Sequence, residues 1–497
     1  MSADARSLTS VHEPSRVLVR AREHVWVISV WVAMTVWTAV LYLIARDTYV
    51  SFRAGRFDLG NMVQAVWSTA HGHVLENTDN ATGEQMVRLS GHVDPFLALL
   101  VPVWTLWPSP LSLALAQAVV VSLGALPVFW LGSRHLGSER TAALLAFTYL
   151  AYPWVGTSAA ASIHPVTFAI TFFLFCVWFL DTGRLVWFAV FAVLAMSTGE
   201  LMGLPVAALG IWFAFSYGRR WVGAAIAVAG VAWTAAAVEV IVPRFAGQGS
   251  MFSGFYDQVG GTPAGVAKML FTHPGTVLGA LVEVQDVAYA LWLGIPLLFL
   301  FLLSPGLAAV ALPQLLANDL SDFRSMSDPR YHTVDAIVPF LVAATVFGIA
   351  RQAPAKRGLA AAAVLVSSVT LTLAVGPWPR AVGAVPLGGR PYLPQAEVQA
   401  LADAVALVPP GAAVTASNPA GAHLSGRRYV YSVPQRMRAT WAVVDLHDPW
   451  VVRPDSPILT RHPRVVRAFA ASLEADPGWQ KVFDRDGVLV FRRPASG

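Results

Sequence analysis

The sequence predicts an all-α membrane protein that crosses the bilayer many times and carries a small α/β domain at its C-terminal end. Three observations predict it. Of 497 residues, 56% are hydrophobic and only 13% are charged, against roughly 25% charged in a soluble domain. Several uncharged runs approach the ~20 residues that span a bilayer, the clearest being "LSLALAQAVVVSLGALPVFWLG" at 111–132. After 377 the long apolar runs stop and short strand and helix patterns replace them. The apolar runs are continuous rather than alternating, which excludes a β-barrel. The mean hydropathy of +0.57 agrees.

The chain opens with a polar tail, 1–23, followed by an apolar run at 24–46 that lacks a small-residue cleavage site. That run reads as a retained helix rather than a signal peptide. Further candidate spans are 111–132, 141–155, 165–180, 185–202, 203–217, 221–243, 287–303, 306–318, 333–350 and 358–376, about eleven in all. The single Cys176 permits no intrachain disulfide. The net charge of +5 resides mostly in loop arginines and is no nucleic-acid signal.

Short cytoplasmic loops carry an excess of Lys and Arg. Arg16, Arg20 and Arg22 therefore place the N-terminus inside. Counting forward, the inner loops become "GSRHLGSER", "DTGR", "YGRR" and "RQAPAKR", each with at least one arginine. The outer segments are then 47–110, 156–164, 244–286, 319–332 and everything after 377. Asp58, His71, His92, Asp94, His164, Glu200, Asn318, Asp319, Tyr331 and His332 all fall outside or at outer helix ends. Any chemistry belongs to that face.

In the long first outer loop, 47–110, Leu59, Met62, Val63, Val66 and Trp67 recur at helical spacing. This predicts an amphipathic helix on the membrane surface, with Asp58 at its N-terminus in the manner of an N-cap. Asp94-Pro95 fits a second cap with proline at the first helical position. His92 reads locally as an ordinary loop residue. His164 stands before Pro165 at the mouth of a span. Glu200 lies inside an apolar stretch, where a carboxylate is costly unless paired or functional. Between 312 and 340, Asn318, Asp319, Ser321, Arg324, Arg330, Tyr331 and His332 gather between two spans, as a solvated loop would; Tyr331-His332 at the lip is the less ordinary pair. No phosphate-cradling GxxxxGK[ST] and no HExxH occurs, and "GGTPAG" is weak evidence of anything. The spacing of His92, Asp94 and His164 does not by itself distinguish a metal site from chance.

The order of "FDLGNMVQAVW", "GHVDPFLALL", "SIHP", "GE" and "LPQLLANDLS…YHTVDAIVPF" resembles the GT-C superfamily of membrane glycosyltransferases. Within it the chain is most similar to a predicted membrane protein family, domain of unknown function two thousand and seventy-nine, over about 50–350. The resemblance implies a lipid-phosphate sugar as donor, which needs no nucleotide motif. It implies an acidic residue early in the first outer loop as catalytic base or metal contact, and Asp58 matches that position. Many relatives carry Lys-Glu-Asp around the position of Glu200; here the residues are "STGEL", without the flanking Lys and Asp.

The expected site is therefore Asp58 and Glu200 as catalytic carboxylates, with Arg56, His92, Asp94, His164, Asn318, Arg330, Tyr331 and His332 binding substrate. Arg53 and Arg88 are further candidates to meet a phosphate. The cofactor is open, a divalent cation (Mg or Mn) being the candidate. Expected partners are membrane lipid, a polyprenyl-phosphate sugar donor and a glycan or protein acceptor, with no nucleic acid. The expected location is a bacterial plasma membrane, with the N-terminus cytoplasmic and 377–497 extracytoplasmic. In that tail, 392–432 reads helix, strand, loop or helix, strand; "WAVVDL" is a strand, 461–474 a helix and "WQKVFDRDGVLVFRR" a hairpin. The alternative is a non-enzymatic transporter or envelope-assembly protein on the same scaffold.

Overall fold

The computed structural model describes residues 24–246, 251–261, 263–281, 283–378, 392–453 and 456–494. The N-terminal tail with Arg16, Arg20 and Arg22, the 379–391 junction and Thr262 of "GGTPAG" lie outside the described residues.

The membrane part is helical. Helix α1 (Val25–Val50) leads into α2 (Asn61–Ala70). A small antiparallel ribbon, β1 (Glu76–Thr78) and β2 (Gln85–Val87), follows. Then come α3 (Pro110–Leu123), α4 (Ala125–Leu136), α5 (Glu139–Leu150), α6 (Pro153–Ala161), α7 (Pro165–Asp181), α8 (Leu185–Met196), α9 (Gly203–Ser216) and α10 (Arg220–Ala236). Among the later helices are α11 (Val284–Gly294), α12 (Leu312–Asp319), α13 (Val338–Ala350) and α14 (Pro354–Val375). Among the described residues, four stretches are long and apolar enough to cross a membrane by length and composition: Val25–Val50, Pro110–Leu136, Arg220–Ala246 and Pro354–Val375. The first, of 26 residues, is about 39 Å long at 1.5 Å per residue, more than the ~30 Å hydrocarbon core. Exposed Trp31, Val32, Leu43, Val228, Leu359 and Val366 give these helices apolar outer faces, as lipid requires.

Other expected spans are shorter or broken. The 141–155 run divides into α5 and α6, because Pro153 has no N–H to continue a helix. The 287–303 run breaks after Pro296, where Leu298 and Phe299 adopt left-handed backbone. The 306–318 run divides into Pro305–Ala308, a 3₁₀ turn and α12. The surface helix expected at 59–67 is instead buried: in α2, Val63, Gln64 and Val66 are all nearly inaccessible. Its polar side is covered by the C-terminal domain, where Gln64 Nε2 donates to the carbonyls of Arg427 and Arg428 at 3.2 and 2.8 Å.

The backbones of helices α9 and α10 approach each other closely. Gly203 and Gly210 face Gly230 and Gly223, and an added Cβ would come within 2.1 Å of the Gly230 carbonyl at Gly203 and 2.6 Å of Ala227 N at Gly210. Small residues allow such approach between helices in lipid. Gly210→Val should force the pair apart, at the ~1–3 kcal/mol typical of overpacking or more. The expected result is a lowered melting temperature with new proteolysis within 203–236, while Ile211→Val at an exposed position has neither effect.

Three loops meet at one end of α7. Asp181 receives Arg134 Nε and His135 Nε2, each at 3.0 Å, and the Tyr217 hydroxyl at 2.6 Å. His164 caps the opposite end of this 17-residue helix, about 25 Å away at 1.5 Å per residue.

The C-terminal region holds a five-stranded sheet of order β4-β3-β5-β9-β8. Its strands are β3 (Val414–Ala416), β4 (Val430–Ser432), β5 (Trp441–Asp445), β8 (Gln480–Arg485) and β9 (Val488–Arg492), with a separate hairpin of β6 (Trp450–Arg453) and β7 (Ser456–Arg461). The alternation of β-strand side chains divides the core. Val443, Val488 and Val490 pack with α15 (Gln395–Leu407) on one face, whereas Ala442, Val444, Leu489 and Phe491 pack with α17 (Pro463–Ala475) on the other. The short α16 (Asn418–His423) follows β3.

Candidate functional site

Four connections meet at one side-chain cluster. The 47–110 segment supplies Asp58, Arg88, His92 and Asp94. The α6–α7 junction supplies His164, the α8–α9 junction Glu200, and the turn before α13 Tyr331 and His332.

Asp58 lies inside a five-residue π-helical turn, Arg56–Gly60. It caps nothing: neither this turn nor α2 receives a side-chain cap bond. Among the described residues no hydrogen bond or ion pair engages its half-buried carboxylate. Burial pushes that carboxyl up to about 6, against the pull of Arg88. Single π turns concentrate at functional sites in helices.

Asp94 does occupy the position before Pro95, but its side chain does not cap. It pairs instead with Arg88 Nε, at 3.0 and 2.7 Å to its two oxygens, both residues being buried. Only Nε of Arg88 is engaged among the described residues, so its two Nη groups remain for another acceptor. His92 is not an idle loop residue: its Nδ1 lies 3.6 Å from Glu200 Oε1, while the other Glu200 oxygen accepts from Val93 N at 3.1 Å.

His164 and His332 stack, with centroids 3.9 Å apart and planes 17° from parallel. Burial, His332, Arg88 and His92 together hold His164 well below its ordinary value of 6.5. Burial, then His92 and Arg88, lower His332 to about 4. Both rings are therefore neutral near pH 7. His164 Nδ1 is buried without a hydrogen-bond partner. Tyr331 is about half exposed; burial and Asp328 raise its phenol against the pull of Arg330, and Asp58 is near enough to add to the rise.

Three expected binding residues serve other ends. Arg56 is 1% exposed and donates to Thr78 O at 2.9 Å, Ser432 Oγ at 3.1 Å, Asn80 Oδ1 and Val430 O. Its guanidinium is consumed in joining the 47–110 segment to the C-terminal domain. Asn318 is fully buried; its amide donates to Tyr289 Oη and Thr333 O and accepts from Gln314. Arg330 is held by its neighbour Asp328 through Nε and Nη2. Arg53 likewise pairs with Asp47 at 2.6 Å and lies under the Tyr392 ring. Sequence reasoning missed Asp335, a buried carboxylate that accepts from Ser158 and Thr167 at 2.7 and 2.8 Å. The signal was present: an acid in an apolar run, the same one that singled out Glu200.

Two of the three carboxylates in the cluster are already engaged. Asp94 and Glu200 are spent on Arg88, His92 and Val93 N. Among the described residues, the one group of three His, Asp or Glu side chains close enough to share an ion is Glu397, Asp445 and His447, in the C-terminal domain.

The family described as Predicted membrane protein (DUF2079) matches residues 48–490. The chain belongs to this family. It is an integral membrane protein with a GT-C-like fold. The crystal structure of ArnT from Cupriavidus metallidurans bound to undecaprenyl phosphate is similar over 94% of this chain and 98% of that one, at 14% identity and a TM-score of 0.53. Apo ArnT from the same organism (14% identity, 95% and 99% covered) and the apo Archaeoglobus fulgidus oligosaccharyltransferase (13%, 83% and 69%) give TM-scores of 0.41 and 0.37. No curated protein sequence matches the chain.

Proposed function

We propose that this family member is a membrane glycosyltransferase that moves a sugar from a polyprenyl-phosphate donor to an envelope acceptor at the outer face. One observation carries the reading: an Asp58 carboxylate unengaged among the described residues stands within electrostatic reach of an arginine whose two Nη groups are likewise unspent there. Two neutral imidazoles complete the cluster. The ArnT likeness supports the fold and suggests the ligand chemistry. The outer placement is supported by Asp181, which gathers three of the arginine-bearing loops at the end of α7 remote from His164.

The chemistry assigns one role to each group. The acceptor hydroxyl attacks the anomeric carbon and gives its proton to Asp58, the general base. The bond from that carbon to the phosphate oxygen breaks, and the lipid phosphate leaves with the electron pair. Arg88 Nη groups and imidazole N–H donors meet the charge that grows there. Glu200 acts through His92, which it orients, rather than on the substrate.

The test is headgroup discrimination. Purified full-length protein in nanodiscs should bind undecaprenyl phosphate at least about tenfold more tightly than undecaprenol, since one hydrogen bond to a charged group contributes ~1.5–3 kcal/mol. Equal affinity for the two lipids would remove the phosphate-binding role and favour the non-enzymatic alternative.

A further inference from the structure

We infer that the C-terminal α/β domain is the positioning element for the Asp58 carboxylate, acting through Asn418 and Arg56; this rests on the reading of Asp58 as base. Asn418 Oδ1 accepts from Phe57 N at 3.0 Å, within the π turn itself. Arg56 reaches across to Val430 O and Ser432. Among the described residues, every side-chain hydrogen bond that enters 55–58 from beyond the first outer loop comes from this domain.

Shape supports the same assignment. A Cβ at Gly55 would meet the Asn418 side chain at 2.5 Å, and one at Gly60 would meet Ser425 Oγ at 2.5 Å. From the other side, a Cβ at Gly421 would lie 2.8 Å from Arg56 Cβ. The turn and α16 are thus fitted together without spare room. The anchor is itself fixed: Asn418 N donates to Asp448 at 2.9 Å, and the Ser417 hydroxyl accepts from Asp445 N at 2.9 Å. Near the end of α1, His423 stacks on Tyr49 and Phe52, at 4.0 and 3.9 Å, and bonds Tyr49 O.

The direction of effect follows from helical geometry. Residues two apart on a helical turn do not face the same way. With Arg56 drawn into the domain, Asp58 is turned away from it, toward Arg88. Releasing the turn would let Asp58 rotate into solvent. Arg88 and Tyr331 are the groups that sense its charge in the assembled state.

The experiment uses full-length protein in nanodiscs. Asn418→Ala should raise hydrogen exchange across 53–61 by at least tenfold while peptides within 110–181 keep their protection. It should also lower the pH midpoint for carbodiimide amidation of Asp58, read by mass spectrometry, while affinity for undecaprenyl phosphate stays within twofold. Asn418→Asp keeps an acceptor for Phe57 N and should restore protection of 53–61. Arg485→Ala, which removes an exposed pair with Asp403 in the same domain, should leave both readouts as in the parent. Unchanged exchange and an unchanged amidation midpoint in Asn418→Ala would overturn the positioning role whatever Asp58 does. A loosened turn in Asn418→Ala together with full transfer by Asp58→Asn would keep the positioning and discard the base.

Discussion

Asp58→Asn should fold as the parent does and transfer sugar about 10²–10⁴-fold more slowly, the typical contribution of a general base. The substitution keeps the size of the side chain and removes the proton acceptor. No hydrogen bond, ion pair or cap is lost with it, because none engages the carboxylate among the described residues. The pH dependence has a definite sign. The ionised form is the base, so transfer should rise through an acid limb near 6 and level off above it. Stability runs the other way. A carboxyl raised by burial favours the fold most below its ordinary value of 3.8, and that advantage is lost as pH climbs through about 6. Above pH 6, Asp58→Asn should therefore be at least as thermostable as the parent. Thermal melts and transfer rates from pH 5 to 8 check both signs. A variant that is well folded and fully active would move the base elsewhere.

Much of the architecture was legible because lipid imposes simple rules. Long apolar runs marked α1, α3–α4, α10 and α14, and the tail's short strand patterns marked β3, β4, β5, β8 and β9. Prolines explain two of the departures: Pro153 and Pro296 interrupt runs that hydropathy alone reads as continuous. Site residues were harder, because composition cannot tell which neighbour consumes a charge. Arg56 and Asn318 are polar groups at the ends of apolar segments, as a binding residue would be. Their partners, Val430 and Ser432 for one and Tyr289 and Thr333 for the other, are remote in sequence or hidden in helices. Local pattern erred the other way at His92 and Asp94: the ordinary loop residue stands 3.6 Å from Glu200, and the cap is in fact a buried ion pair with Arg88. The ordered motifs, rather than any single residue, carried the correct family.

Removing Arg88 should have the second large effect, and in two separable parts. Arg88→Met leaves the Asp94 carboxylate, 2% exposed, without its cation. Breaking a buried pair in this way typically costs about 3–5 kcal/mol, a large fraction of the stability of an ordinary domain. Asp94 can limit that cost by taking up a proton, so the loss should be smaller at pH 5 than at pH 8. Replacing both partners, Arg88→Met with Asp94→Leu, leaves no stranded charge and should recover most of the stability, since an apolar pair of similar volume is often neutral or better. Binding of undecaprenyl phosphate should not recover with it. The double variant has lost the Nη donors, and His164 and His332 are uncharged near neutral pH. Melting temperatures and lipid affinity measured on the single and double variants separate the two parts. A double variant that regains both would make Arg88 only a counter-ion for Asp94 and would leave the phosphate to the imidazoles.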